Sequence, residues 1–291
     1  MTRTGTHVDG ATVSGRLVPG VIVSGALLSG ADAVAHRERI WHELRAVGRP
    51  DSRFHWDFSS FIADFEGSEQ CGVRVRDLAS YRAGGLLFIT PDNSTEALRQ
   101  QAMDDGRPFL MTTYGIGRGF LLLDPSSVPT DEHRYAATLD GMDRYSRQLS
   151  VADLRTLGHI DLLVTGGSAV SRNGVRFGKG HGYFDLEWAM LSELGLTDAT
   201  SEIADVVHDC QVVDGDLLGD DHDVPVDWIV TPTSTARVTE PGRTAGRIRW
   251  DLLATSPLLM IPPIQELLAE RGSAQRPTGT TGNAPHPISY P

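Results

Sequence analysis

The chain has 291 residues, 26 of them Lys or Arg and 38 Asp or Glu, for a formal charge of −12; 40% are hydrophobic and 22% charged. This is the mixture of an ordinary soluble globular protein, long enough for one large domain or two small ones whose cores need no covalent staples. The acidic balance argues against nucleic acid or an anionic membrane as partner, because both call for clustered Lys and Arg. Cys71 and Cys210 alone make neither a disulfide framework nor a cysteine-based metal cluster.

Residues 1–31 are rich in Gly, Thr, Ser and Val without helical period and are expected to form a loosely ordered extension. The apolar run at 17–35 faintly resembles a secretory signal, but Pro19, Gly20, Ser24, Gly25 and Gly30 interrupt it and Asp9 spoils the positive leader. No segment approaches the ~20 apolar residues of a membrane span, so a cytoplasmic location is expected. From Asp32, a candidate N-cap, Val34, Arg37, Ile40, Trp41, Leu44 and Val47 recur at helical spacing until Gly48. Residues 85–90 (GLLFIT) read as a buried strand, 94–105 as a helix closed by Gly106, and 107–113 and 119–123 as strands. The strand 160–164 (IDLLV) precedes a glycine-rich loop and a helix over 184–194 stopped by Gly195, and 206–213 and 226–230 read as further strands. Alternation of this kind predicts an α/β fold with a mostly parallel sheet covered by helices, one domain over 32–271. Residues 272–291, rich in Gly, Pro, Thr and Ser, are expected to be a disordered tail.

The chemistry is concentrated at 173–186 (NGVRFGKGHGYFDL). Gly178, Gly180 and Gly182 alternate with Lys179 and His181, which allows close backbone approach to a ligand and positive φ. Successive N–H groups leading into a helix N-terminus form an anion site, to which Arg176, Lys179 and His181 add positive charge. Asp185, at the helix start, is placed to hold Mg²⁺ against phosphate oxygens. The spacing alone also suits a tight turn, and it is neither the dinucleotide fingerprint nor the P-loop.

The whole string R-x-G-x-G-x-G-Y-F-D at 176–185 resembles the R-x-G-x-G-x-G-Y-Y-D signature of the 5-formyltetrahydrofolate cyclo-ligase (methenyltetrahydrofolate synthetase) family. Residues 161–166 (DLLVTG), 208–213 (HDCQVV) and 221–231 (DHDVPVDWIVT) resemble its flanking elements, and the helix with Arg37 and Arg39 its basic N-terminal helix; the similarity covers roughly 33–235. The resemblance implies a three-layer α/β sandwich of the kind shared with ribose-5-phosphate isomerase and coenzyme A transferases, with ATP and Mg²⁺ as cofactors. It also implies a reaction in which the formyl oxygen of 5-formyltetrahydrofolate is phosphorylated and an internal nitrogen closes the ring as phosphate leaves. Arg176, Lys179 and His181 would then contact phosphate, Asp185 the metal, and Tyr183 the substrate or phosphate, with Arg37 or Arg39 a further phosphate contact. The chain departs from the pattern at Thr165–Gly166–Gly167 and Val170–Ser171, at Phe184 for the second tyrosine, and at His181 where some members have lysine. The N-terminal helix also lacks the Lys and Arg spaced by four, since Arg37 would pair with Ala33 or Trp41. The middle of the chain looks more like a divergent cyclo-ligase-like branch, which leaves the substrate open between a folate and another N-formyl or N-acyl compound. A non-catalytic nucleotide- or ligand-binding descendant is the alternative, motivated by the altered basic pair and Phe184.

Phe54, His55, Trp56, Phe58, Phe61 and Phe65 are too dense for a surface loop and read as core or as a homodimer contact. The functional reading is that Trp56 stacks on a flat substrate ring while Asp57 or Glu66 bonds its polar edge. Residues 114–119 (YGIGRG) read as a hairpin turn or a second ligand loop. His208, Asp209, Asp221, His222 and Asp223 match no zinc spacing. No nucleophile elbow is present at 167–169.

Overall fold

The computed structural model describes residues 31–179, 182–215, 217, 219, 223–239, 241–243 and 246–274, with the side chains of 31–37 and 274 outside the description. The first half comprises α1 (Ala31–Val47), α2 (Ser68–Arg76), α3 (Ala79–Arg82), β1 (Leu86–Ile89), α4 (Glu96–Asp104), β2 (Phe109–Thr112) and β3 (Phe120–Leu123). Next come α5 (His133–Ala136), α6 (Met142–Tyr145), β4 (Arg147–Leu149), α7 (Val151–Leu154), β5 (Ile160–Gly166), β6 (Ala169–Ser171), β7 (Arg176–Phe177) and α8 (Tyr183–Glu193). The chain continues through β8 (Glu202–Val206), β9 (Val212–Val213), β10 (Trp228–Val230), β11 (Thr235–Arg237), α9 (Trp250–Leu253) and α10 (Pro262–Ala274).

Eight strands form one sheet in the order β11-β10-β8-β5-β1-β2-β3-β4, in which β10, β8, β5, β1 and β2 run parallel, β11 pairs antiparallel with β10 at one edge, and β3 pairs antiparallel with both β2 and the other edge strand, β4. Alternate side chains of each strand point to opposite faces, so each face needs its own cover. Leu87 and Ile89 of β1, Phe109 and Met111 of β2 and Leu162 and Val164 of β5 pack with Leu44 of α1, Val75 of α2 and Leu98 and Ala102 of α4. Phe88, Leu110, Leu163 and Ile203 face the other way, onto Trp188, Met190 and Leu191 of α8 and Ile264 and Leu267 of α10. The result is the three-layer α/β sandwich that the resemblance implies, with the helix-covered sheet expected from the alternation.

A second sheet, β7-β6-β9, stands beside the first and carries the glycine-rich loop on its hairpin. Ile40 of α1 packs on it with Ala169 and Val213. The strand expected over 206–213 is corrected: the ladder uses Glu202–Val206, and the chain leaves it at His208. There His208 Nδ1 accepts from the Cys210 amide at 3.2 Å, and Gln211 Oε1 accepts from the His208 amide at 2.8 Å, tying a 3₁₀ turn that ends the apolar run. The segment 54–65 is core: Phe61 and Phe65 are 1% and 0% exposed, and Phe54 stacks on Phe61 at 5.3 Å. Among the described residues no helix is long and apolar enough to cross a membrane.

Candidate active site

The two crossovers that leave the middle of the sheet diverge. From β1 the chain passes through α4, on one face, to β2; from β5 it passes through α8, on the other face, to β8. A crevice opens outside the carboxyl ends of strands wherever the winding reverses in this way, and ligands of open α/β sheets bind there. In this protein the crevice lies between β1 and β5. Its walls include Thr90, Asp92, Thr165 and Gly166 from the two strand ends, and Arg176, Gly178, Lys179, Tyr183 and Asp185 from the loop and the start of α8. The hairpin turn after β2 adds Tyr114 and Gly115.

Close approach shapes the floor. A Cβ on Gly166 would lie 2.3 Å from Ser94 Oγ, and one on Gly167 would lie 2.5 Å from Asp205 Oδ2, so neither position admits a side chain without rearrangement. Gly182 holds φ 67° as the N-cap of α8, turning the chain so that the helix N-terminus faces the cleft.

Both described cations of the loop are held by the protein. Lys179 Nζ lies 3.4 Å from Asp92 Oδ1 and 4.6 Å from the centre of the Tyr114 ring. Burial works to lower the Lys179 ammonium's pKa, but Asp92 and Tyr114 raise it above the usual lysine value, so the group stays charged. Arg176 stacks 4.4 Å from the Phe184 ring and lies 3.8 Å from Asp185 Oδ1. Asp185 Oδ1 also accepts from the Val224 amide at 3.0 Å, fixing the chain that carries Asp223 against the cleft.

Two further acids lie deeper. Burial pushes the Glu187 carboxyl up to about 8, with the Thr112 hydrogen bond, Lys179 and Arg176 opposing and Asp92 adding to the rise. Burial pushes Asp205 up to about 7, with Arg176 opposing and Asp92 adding. Both Asp205 oxygens and Arg176 Nε lack a hydrogen-bond partner among the described residues. Because Asp205 rises from 3.8, the folded chain binds more protons than the unfolded one between about pH 4 and 7. Its contribution is therefore most favourable below pH 4 and is lost as pH climbs through 7. Asp205→Asn is expected to match the wild type in thermal stability near pH 4 and to gain on it steadily up to pH 8; parallel melting curves across that range would refute the assignment.

The model of the 5-formyltetrahydrofolate cyclo-ligase family matches residues 31–232, which contain every strand of both sheets except β11. The chain belongs to that family. Relatives named methenyltetrahydrofolate synthase domain-containing protein are similar to it: the human one is 31% identical over 256 residues, covering 86% of this chain and 65% of that protein. The mouse one is 30% identical over 266 residues, covering 88% and 70%. The chain thus spans just under two thirds of the human relative's length. The NMR structure of Aquifex aeolicus 5,10-methenyltetrahydrofolate synthetase aligns with a TM-score of 0.44 at 16% identity, over 74% of this chain and 97% of that one.

In this cyclo-ligase family member, the structure brings together Arg176, Gly178, Lys179, Gly182, Tyr183 and Asp185 of the signature around one cleft. Gly180, His181 and the Arg37 side chain lie outside the described residues. Three expected contacts are corrected. Arg39 is not among the residues lining the cleft; it pairs with Glu43 at 3.0 Å one turn along α1. Trp56 packs edge-on to Phe58 at 6.0 Å, and Glu66 is exposed with its amide bonded to Val47 O at 2.8 Å, so neither reaches the cleft. The aromatic segment contributes Ile62 instead, because Phe61 and Phe65 point into the core and the Tyr114 hydroxyl bonds Ser60 O nearby. Phe184, in place of the signature's second tyrosine, is 5% exposed, lines the cleft and keeps its ring under Arg176. Glu187, Asp205 and Tyr114 were not singled out as site residues from sequence; only the glycine-rich 114–119 turn carried a signal.

Proposed function

We propose that this protein is an ATP- and Mg²⁺-dependent ligase of cyclo-ligase type, acting on 5-formyltetrahydrofolate or a related N-formyl or N-acyl compound. The observation that carries this reading is the meeting of Arg176, Lys179 and the N-terminus of α8 at the sheet's switch point, with Asp185 and Asp223 on the same cleft. The residues fit the cofactors. Mg²⁺ commonly takes one or two protein carboxylates and completes its shell with phosphate and water, so it needs no dedicated cluster. Among the described residues there is none of three or more acidic, His or Cys ligands, and Asp185 with Asp223 supplies what a phosphate-borne ion requires.

ATP with Mg²⁺ supplies the phosphoryl group that converts an amide oxygen into a leaving group. The chain's own work is positioning and charge screening. Lys179 exchanges the Asp92 carboxylate for phosphate oxygens, a short movement for a flexible side chain whose ammonium lies over the Tyr114 ring. Arg176, fixed by Phe184, presents its planar fork to phosphate. Gly166, where a Cβ would meet Ser94 Oγ, lets the turn that carries Asp92 pack closely against the end of β5 at the cleft.

The test is ADP release by the purified protein with ATP, Mg²⁺ and 5-formyltetrahydrofolate, followed together with formation of the ring-closed product. Stoichiometric ADP and product are expected, with no turnover when Mg²⁺ is removed. Nucleotide binding without turnover on any N-formyl compound would favour a binding protein, and absence of nucleotide binding would defeat both readings.

A further inference from the structure

The cleft carries both signs of charge. Beside the cationic loop, Glu187 of α8 is 2% exposed and Asp92 is 8% exposed, and both line the cleft. Glu187 Oε1 accepts from Thr112 Oγ1 of β2 at 2.5 Å, its hydrogen bond among the described residues. Asp92 commits Oδ2 to the Thr90 hydroxyl at 2.7 Å and the Gly166 amide at 3.2 Å, and leaves Oδ1 to Lys179. An ionised carboxylate offers about four acceptor sites, a protonated carboxyl keeps acceptor capacity beside its one O–H, and buried polar atoms without partners are costly. The fold therefore leaves acceptor capacity in this cleft that its own donors do not fill. Packing does not account for the acid either: Leu186, Trp188, Ala189, Met190 and Leu191 around it are all core, where an apolar side chain would do.

We propose that Glu187, with Asp92 beside it, is the specificity-determining acceptor of the cleft and takes an N–H-bearing edge of the substrate, of the amide or aminopyrimidine kind. This rests on the cyclo-ligase-type reading and adds the polarity of the substrate: phosphate against Arg176 and Lys179, N–H donors against the two carboxyls. The groups facing Glu187 are Thr112 from β2, Asp92 from the turn after β1, and Lys179 and Arg176 from the loop. When Lys179 turns to phosphate, Asp92 loses its cation, and the substrate's N–H groups take over that role.

Isothermal titration of the full chain separates this inference from the reading beneath it. The probes are ATP with Mg²⁺ and, separately, 5-formyltetrahydrofolate, against wild type, Glu187→Gln and Glu187→Met. Both variants are expected to bind ATP within about threefold of wild type, and 5-formyltetrahydrofolate about tenfold more weakly or worse, as for a buried hydrogen bond left unmade. Gln keeps one oxygen and the side chain's shape, so it should fold like wild type even if Met does not. Unchanged 5-formyltetrahydrofolate affinity in Glu187→Gln, or equal loss of both ligands, overturns the proposal. A wild type that binds ATP but not 5-formyltetrahydrofolate overturns this inference alone; one that binds neither overturns the cyclo-ligase reading with it.

Discussion

Lys179→Met is expected to weaken ATP binding by about 10- to 100-fold and to lower the rate of ADP release by roughly 10²–10³. The side chain is nine-tenths buried beside Asp92, faces the cleft, and is held in its charged form, so its removal takes a desolvated positive charge from the proposed triphosphate site. Met keeps a flexible apolar side chain of similar length and removes the ammonium that lies over the Tyr114 ring. Asp92 keeps the Thr90 and Gly166 bonds, so the fold should survive, but Oδ1 loses its cation and the melting temperature is expected to fall. Titration of nucleotide into the variant checks this directly. Wild-type affinity would mean that Lys179 serves only its ion pair with Asp92.

Arg99→Leu is expected to cost roughly 3–5 kcal/mol of stability. Arg99 is fully buried, and its guanidinium donates to Ala137 O at 2.8 Å, Thr90 O at 2.7 Å, Asp92 O at 2.9 Å and Thr95 Oγ1 at 2.7 Å. Burial pulls its pKa down to about 10, which still leaves it charged at neutral pH. A buried charge can be worth less than a well-packed apolar residue when both partners are replaced. Here the partners are mainly backbone carbonyls, which no substitution removes, so leucine takes the guanidinium donor from Ala137 O and leaves Thr90 O and Asp92 O to Thr95 alone. Lysine supplies one compact donor in place of a planar fork and should recover only part of the loss. Because the carbonyls belong to the turn carrying Asp92, the same change should also loosen the cleft. Denaturant unfolding measures it; a loss under about 1 kcal/mol would show that the turn holds without Arg99.

Local patterns account for much of what sequence made visible. The helix stopped by Gly48, the strand at 85–90, the helix closed by Gly106 and the one stopped by Gly195 depend on short-range periodicity and chain-breaking glycine, and each stands within a residue or two of its expected place. The signature loop was legible because its residues are consecutive. Trp56 and Glu66 were placed wrongly at the cleft because density of aromatic residues signals burial without saying against what; the core took Phe61 and Phe65, and only Ile62 reaches the site. The strand over 206–213 failed because a side-chain cap at His208 ended an apolar run that composition alone would continue. Arg99, Glu187 and Asp205 were invisible for a deeper reason. Charged residues in a helix or strand read as solvent-facing, and their burial is decided by β2, β5 and the loop over them, which are distant in sequence.

The central claim is that the switch-point cleft between β1 and β5 holds a triphosphate. The most direct measurement is a crystal structure of the wild-type protein with a non-hydrolysable ATP analogue and Mg²⁺. Terminal phosphate density against Lys179 and the N-terminus of α8, with the metal bound at Asp185, is the predicted result. Nucleotide bound elsewhere, with Lys179 still on Asp92, would contradict it.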